Sequence, residues 1–269
     1  MLSGADRVRG LRIRPISPST STDSLKLLTS RRADAAIVDI HDLGLAAERR
    51  ADVVGVGGLV QEPLAAVIAR ERVRRPRKLE GRRVGVAGLP SDDAVLRAVM
   101  RADRGDPAKV RRTTIGFSAV PALASGRVAA ATAFWNAEGV ALRRRGVATH
   151  EFRLVDYAHL RYPELILAVR RQSLASERPR VAALVAALRA GTDYGLRTPA
   201  PVLSAINRAS GGDSRLEGAE FEATRPALSP PLALDRAGLE AWGRFAVRFG
   251  LLRSPPDLRR TFDFGVAER

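Results

Sequence analysis

Short apolar runs alternate with amphipathic segments along most of this chain, a pattern typical of an α/β protein. Residues 35–38 form a continuous apolar run, as in a strand buried on both faces, whereas residues 11–16 alternate like a half-buried strand. Strands are predicted at residues 11–16, 33–40, 53–60, 64–69, 83–87, 110–115, 129–134, 150–155 and 165–170. Helices are predicted at residues 24–30, 43–50, 76–79, 91–104, 119–125, 137–145, 179–194, 199–209 and 235–249. Residues 221–234 are Pro-rich and predicted to be irregular, and residues 253–269 are predicted to form a docking tail.

The order of these elements favours a parallel α/β architecture with one domain inserted in another. The block at residues 83–163 looks self-contained, and an apolar strand flanks it on each side, at 64–69 and 165–170. We therefore predict two lobes joined by two crossing strands. Lobe 1 would comprise residues 1–82 and 164–269, and lobe 2 residues 83–163. Such an arrangement places a cleft between the lobes and allows closure by hinge motion.

Composition narrows the classes of function. The chain has 269 residues, 45% of them hydrophobic and only 5% aromatic, so its core is expected to consist mainly of Ala, Val and Leu. The formal net charge of +16 suggests nucleic-acid binding, but only three of the 45 basic residues are lysines and the arginines are scattered. We attribute them to a GC-rich coding sequence and predict no nucleic-acid partner. The absence of cysteine excludes disulfides, zinc–thiolate sites and cysteine nucleophiles.

Two predicted strand-to-helix turns carry polar groups of the kind that line a ligand cleft. In the first, Ser91 and Asp92 lie at a helix start, where they cap the helix or bind an uncharged or cationic polar ligand. In the second, Trp135, Asn136 and Glu138 offer an aromatic face, an amide and a carboxylate. This set suits a flat heteroaromatic ring with amino substituents. The alternative is that Trp135 packs in the core, Asn136 caps the helix and Glu138 interacts with its dipole.

Weaker candidates lie near other predicted strand ends. Asp39, His41 and Asp42 share one turn, which suggests either a metal or acid–base site, or a capping role for Asp42 with His41 lining a pocket. We favour the second interpretation because no other His-rich segment is present. Thr22, in a hydroxyl-rich turn before a helix, and Gln61, just past a strand end, complete the set of candidate ligand contacts.

Four segments together resemble the substrate-binding proteins of ABC transporters, in the branch related to thiamine-pyrimidine synthase. They are residues 21–28, 32–43, 88–93 and 133–142, within a similarity that covers roughly residues 11–200. The resemblance implies a type II periplasmic-binding-protein fold, capture of a small ligand by hinge closure and delivery to a membrane permease. It also implies that Glu138 holds the amino-substituted edge of a pyrimidine, and it places Asp39, Ser91 and Asp92 in the same site.

The resemblance also has departures. Members of this family usually carry an export signal and an earlier strand with an Asp/Trp-Pro-Asn type segment, whereas this sequence begins after that strand. Either the start codon is misassigned, or the chain is a truncated relative whose first lobe is expected to lack a strand and part of its pocket. Without an export signal the chain as given would stay in the cytoplasm, although the family implies an extracytoplasmic or membrane-associated location. Synthases of this fold need a cysteine-rich segment, which is absent here, so we predict a binding protein and no enzyme.

The resulting prediction is a monomeric solute-binding protein that needs no cofactor and binds a small heteroaromatic metabolite, a thiamine-precursor pyrimidine. Its partners would be this ligand and an ABC permease. The alternatives are a cofactor-biosynthesis enzyme on the same fold and a binder of sulfonate or nitrate.

Overall fold

The computed structural model describes residues 4–267, and these residues form a mixed α/β structure. The strands are β1 (Ala35–Asp39), β2 (Val54–Val60), β3 (Ala65–Arg70), β4 (Arg83–Val86), β5 (Arg111–Thr114), β6 (Ala130–Phe134), β7 (Thr149–Arg153) and β8 (Leu165–Val169). The helices are α1 (Ser21–Thr29), α2 (Ile40–Glu48), α3 (Pro90–Ala102), α4 (Ala119–Ala124), α5 (Glu138–Arg144), α6 (Leu154–Ala158), α7 (Arg171–Ser176), α8 (Arg178–Arg197), α9 (Pro199–Ser210), α10 (Ser214–Thr224), α11 (Arg236–Arg248), α12 (Leu258–Thr261) and α13 (Phe264–Ala267).

Two sheets organise the molecule into two α/β lobes. Lobe 1 contains a three-stranded sheet in the order β1-β8-β2, and lobe 2 a five-stranded sheet in the order β5-β4-β6-β3-β7. The predicted parallel arrangement holds for β4 with β5 and β6, but β8 is antiparallel to β1 and β2, and β3 is antiparallel to β6 and β7. Both exceptions are strands that the chain enters directly from the other lobe, so neither follows a crossover helix of its own sheet.

The two connections between the lobes are bonded to each other. The backbone N–H of Glu164 donates to the carbonyl of Val60 at 2.8 Å, and the Glu164 carboxylate accepts from the N–H of Leu64 at 3.4 Å. At the surface, Arg161 pairs with Glu62 at 3.0 Å. The strand β3 belongs to the larger sheet although it precedes residue 83. The lobe boundaries at residues 82/83 and 163/164 stay a prediction.

The apolar faces expected from helix periodicity are buried. On α3, Leu96, Val99 and Met100 have no exposed surface, and on α11 the Trp242 ring is equally inaccessible. A large hydrophobic cluster includes these residues of both lobes, so it joins α3 of lobe 2 to α2 and α11 of lobe 1. Packing of this kind fixes where the strand-to-helix turns of the two lobes lie.

Two stretches differ from their predicted conformation. Residues 11–16 form no strand, because no neighbouring strand lies beside them in the described part of the chain and a single strand cannot complete its hydrogen bonds. Part of the stretch predicted as irregular, residues 221–224, is the last turn of the 11-residue helix α10.

The predicted docking tail packs against lobe 1 over its described residues. Phe262 is 2% exposed and forms an isolated parallel bridge with Gly55 of β2. Residues 268 and 269 of that tail lie outside the described residues, as do residues 1–3, on which the expectation about an export signal partly depends. Between residues 4 and 267 no helix combines the length and the apolar character needed to span a bilayer.

Candidate functional site

The first predicted turn, between β4 and α3, is closed by its own hydrogen bonds. Asp92 Oδ2 accepts from the backbone N–H groups of Gly88 and Leu89 at 2.9 and 2.8 Å, and Asp92 Oδ1 accepts from the Thr132 hydroxyl at 2.8 Å. Both carboxylate oxygens are therefore engaged in holding the turn on β6. Ser91 is half-buried beside Asp92 at the start of α3. In this turn, helix capping accounts for Asp92.

The second predicted turn, between β6 and α5, buries its aromatic residue. Trp135 is 4% exposed, and its indole N–H donates to the carbonyl of Pro63 at 3.0 Å. The guanidinium of Arg153 lies 4.2 Å from the centre of the ring. The backbone of Trp135 also donates to Leu64 at 3.0 Å. The ring thus packs against the connection between the lobes, which is the alternative role considered for it above.

Asn136, next to this tryptophan, is held by a helix that the sequence did not predict. Its amide nitrogen donates to the Thr224 hydroxyl of α10 at 2.9 Å, and that hydroxyl in turn donates to the carbonyl of Glu220 at 2.7 Å. Because the hydroxyl proton is used in this way, Thr224 cannot donate to the Asn136 oxygen. Asn136 Oδ1 is buried and has no hydrogen-bond partner in the described residues. Such an atom carries an energetic cost unless a donor reaches it.

Two carboxylates belong to the helices on either side of Asn136. Glu138, in the first turn of α5, accepts from the Phe134 backbone N–H through one oxygen at 2.9 Å. Glu220 lies one turn before Thr224, on the face of α10 that packs against α5. Burial raises the pKa of Glu220, and the charges of Glu138 and then Glu217 raise it further. The second turn and α10 together form a region rich in hydrogen-bond acceptors, which suits a ligand with several N–H donors.

The turn after β1 is part of the protein interior. Asp39, not Asp42, is the N-cap of α2, which begins at Ile40, and Asp39 accepts from the His41 backbone N–H at 2.7 Å. The prediction that Asp42 caps this helix is therefore wrong, because the helix begins one turn earlier than its apolar pattern indicated. Burial raises the pKa of Asp39 and raises that of Glu164 well above its usual value. Their proximity favours a proton shared between the two carboxyls.

His41 lies among aromatic side chains and is 5% exposed. The Trp242 indole N–H donates to His41 Nδ1 at 3.1 Å, and Tyr162 Oη lies 3.4 Å from His41 Nε2. An indole can only donate, so Nδ1 must be the acceptor and the neutral ring carries its proton on Nε2. Burial lowers the pKa of His41, which keeps the imidazole uncharged. In the described residues no cluster of three or more His, Asp or Glu side chains could hold a metal ion.

The last two predicted contacts are engaged with the protein itself. Gln61 donates its amide to the carbonyls of Gly58 and Ala233 at 2.6 and 3.2 Å. Thr22 is exposed, and its hydroxyl donates to Asp42 Oδ2 at 3.4 Å. The structure thus brings Asn136 and Glu138 together with α10, whereas Asp92, Trp135, His41 and Gln61 make structural contacts. Glu220 and Thr224 were not predicted, and the only signal for α10 was Asp213, which caps it.

Comparisons with known proteins agree with this fold. The family described as "NMT1/THI5 like" matches residues 7–201. A formylaminopyrimidine-binding protein of Halalkalibacterium halodurans is 30% identical over 161 residues, which are 59% of this chain and 49% of that protein. The alignment therefore spans about half the length of this curated relative.

Solved structures that resemble the chain include binding proteins and an enzyme. The alkanesulfonate-binding protein SsuA from Xanthomonas axonopodis pv. citri, bound to MOPS, has a TM-score of 0.74 at 16% identity, with 97% of this chain and 91% of that chain covered. A mutant of the desulfurization enzyme DSZB in complex with biphenyl-2-sulfinic acid has a TM-score of 0.72 at 14% identity, with 99% and 92% covered. At such identities the likeness concerns the fold alone. The chain belongs to the NMT1/THI5-like family and has the fold of the periplasmic binding proteins.

Proposed function

We propose that this chain is the solute-binding component of an ABC importer and that it binds an amino-substituted pyrimidine related to thiamine precursors. The observation that carries the proposal is Asn136 Oδ1, which is buried without a hydrogen-bond partner in the described residues, in a region that also contains the mutually repelling carboxylates of Glu138 and Glu220. An aminopyrimidine supplies N–H donors to such acceptors. The name of the curated relative points to the same class of ligand.

A sulfonate is the competing ligand, since SsuA binds alkanesulfonates on the same fold. A sulfonate has acceptor oxygens and a negative charge, so it would meet repulsion from Glu138 and Glu220 and would leave Asn136 Oδ1 without a donor. The chemistry of this site therefore favours the pyrimidine.

The proposed function also implies partners and a location. Delivery of the ligand requires a membrane permease, and an importer of this kind works with its binding protein outside the cytoplasm. We propose that the protein acts there as a monomer. The two connections between the lobes supply the hinge for closing on the ligand.

Thermal unfolding with and without ligands tests the proposal. The panel comprises a formylaminopyrimidine, a 4-aminopyrimidine, thiamine, taurine and MOPS. A ligand present at about 100 times its dissociation constant stabilises the protein by about 2.7 kcal/mol, which gives a clear rise in melting temperature. We expect this rise with the aminopyrimidines and none with the sulfonates.

Two variants locate the binding site. Glu138→Gln should reduce the stabilisation by the pyrimidine, because a carboxylate that accepts from the ligand becomes a neutral amide. Glu222→Gln is the matched control, since Glu222 lies on α10 but pairs with Arg225 at the surface. Stabilisation by a sulfonate alone, or equal loss in both variants, would contradict the proposed ligand and site.

A further inference from the structure

The structure contains a cavity that none of the candidate site residues lines. It is a groove of about 540 Å³ between α3 and α6 of lobe 2 and α11 of lobe 1. Its apolar surface includes Tyr157, Leu160, Phe245 and Phe249. The groove therefore exists only where the two lobes bring these helices together.

Two guanidinium groups from opposite lobes converge on one ring in this groove. The Cζ atom of Arg101, on α3, lies 6.0 Å from the centre of the Phe249 ring, and that of Arg248, on α11, lies 5.5 Å from it. Both arginines line the groove and are exposed. A third, Arg244, precedes Arg248 by one helical turn and lines the same groove, which adds like charge on the same face.

These positive charges are not neutralised by an ion pair in the described part of the chain. Within residues 4–267, none of the three arginines makes an ion pair or a side-chain hydrogen bond. The carboxylate on the adjoining face of α3, Asp93, is already occupied by Arg97 at 2.9 Å and Arg112 at 2.7 Å. Arginines at an apolar, partly enclosed surface repel one another more strongly than in open solvent, so an anion is favoured there.

We propose that this groove is a binding site for a small aromatic anion. The ring of the ligand would lie on the Phe245–Phe249 surface, and its sulfonate, carboxylate or phosphate group would accept hydrogen bonds from Arg101 and Arg248. The ligand would bridge the lobes and stabilise the arrangement that brings α3 and α11 together. This site differs in charge from the acceptor-rich region at Asn136, and it does not depend on the ligand proposed there.

Calorimetric titration with 2-naphthalenesulfonate tests this site. Sodium sulfate and uncharged 2-naphthol serve as probes for charge alone and for the apolar ring alone. We expect the naphthalenesulfonate to bind at least ten times more tightly than either. Binding of 2-naphthol with equal affinity would show an apolar pocket only, and equal binding of sulfate would show unspecific attraction to a basic protein; either result would overturn the proposal.

A double variant tests whether Arg101 and Arg248 bind the anion. Arg101→Gln with Arg248→Gln should raise the dissociation constant of naphthalenesulfonate at least tenfold. The control, Arg49→Gln with Arg144→Gln, removes the same net charge from exposed arginines at the ends of α2 and α5. Melting temperatures without the probe establish that both double variants are folded. Equal affinities of the two double variants, including the case in which the probe binds in the cleft instead, would contradict the assignment.

Discussion

The two strand-to-helix turns of lobe 2 look alike in the sequence but differ in how their polar groups are used. In the β4–α3 turn, Asp92 accepts three hydrogen bonds from the protein and leaves no free carboxylate oxygen. In the β6–α5 turn, Glu138 engages one oxygen, and the neighbouring Asn136 oxygen is buried with no hydrogen-bond partner among residues 4–267. A polar residue at a strand end is therefore a binding candidate only when its hydrogen bonds are incomplete.

The largest expected effect is the loss of stability on replacing Trp135, which packs against the connection between the lobes. Trp135→Ala should lower the free energy of unfolding by about 3–5 kcal/mol, because it leaves a cavity and removes the donor to Pro63. Phe134→Ala, at a neighbouring position that is 39% exposed, should cost less than about 1 kcal/mol. Urea denaturation measures both. Lost ligand binding without lost stability in Trp135→Ala would instead place the ring in the binding site.

The next effect tests whether the first turn is structural. Asp92→Ala should lower the free energy of unfolding by about 2 kcal/mol, because it removes the cap of α3 and the acceptor for Thr132. The neighbouring Ser91→Ala should change it by less than about 0.5 kcal/mol. Urea denaturation compares the two, and a pyrimidine should still stabilise the folded Asp92→Ala protein. Unchanged stability together with lost ligand binding in Asp92→Ala would contradict a structural role of the β4–α3 turn.

Sequence patterns predicted most elements because the periodic apolar positions are the ones that become buried, as on α3 and α11. They failed where neighbours decide the conformation. Residues 11–16 alternate correctly but have no partner strand in the described residues, and α10 has no buried residue, so no apolar face revealed it. Strand direction was also missed, because periodicity does not show which lobe the chain comes from.

The site was less predictable than the fold for a related reason. Asn136 and Glu138 were selected as candidates because they follow a strand, but Asp92 and Gln61 occur at equivalent places. What separates these residues is the set of partners supplied by distant segments: Thr132 for Asp92, and Ala233 for Gln61. Such partners follow from the packing of lobes and helices and leave no local pattern.

A smaller effect isolates the unpartnered amide oxygen. Asn136→Leu should change the free energy of unfolding by less than about 1 kcal/mol, because it removes a buried acceptor together with the bond to Thr224. It should weaken binding of the aminopyrimidine about tenfold, or about 1.4 kcal/mol. Thr224→Val removes the same bond but keeps the Asn136 oxygen, so its affinity should fall less. Calorimetry with equal losses in both variants would mean that the oxygen does not contact the ligand.

The smallest expected effect is a pH dependence of ligand binding at the β6–α5 turn and α10. The pKa of Glu220 is raised by burial and by the charges of Glu138 and Glu217, so this carboxylate takes up a proton before ordinary glutamates as pH falls. Binding of an amino-substituted ligand should therefore weaken as pH falls through that raised pKa towards the ordinary value of 4.5. Glu220→Gln should flatten this part of the affinity profile, whereas Glu222→Gln should not.

The raised pKa of Glu220 also determines how the free energy of unfolding changes with pH. Because the folded-state pKa of Glu220 lies above its unfolded value, folding takes up a proton in this pH window. The contribution of Glu220 to the free energy of unfolding is therefore fully present below the unfolded pKa and is lost as pH rises through the folded pKa. Urea denaturation without ligand should show wild type gaining stability relative to Glu220→Gln as pH falls. The opposite slope would mean that Glu220 is stabilised as a carboxylate, and the second turn would then resemble the first, with its acceptors satisfied by the protein.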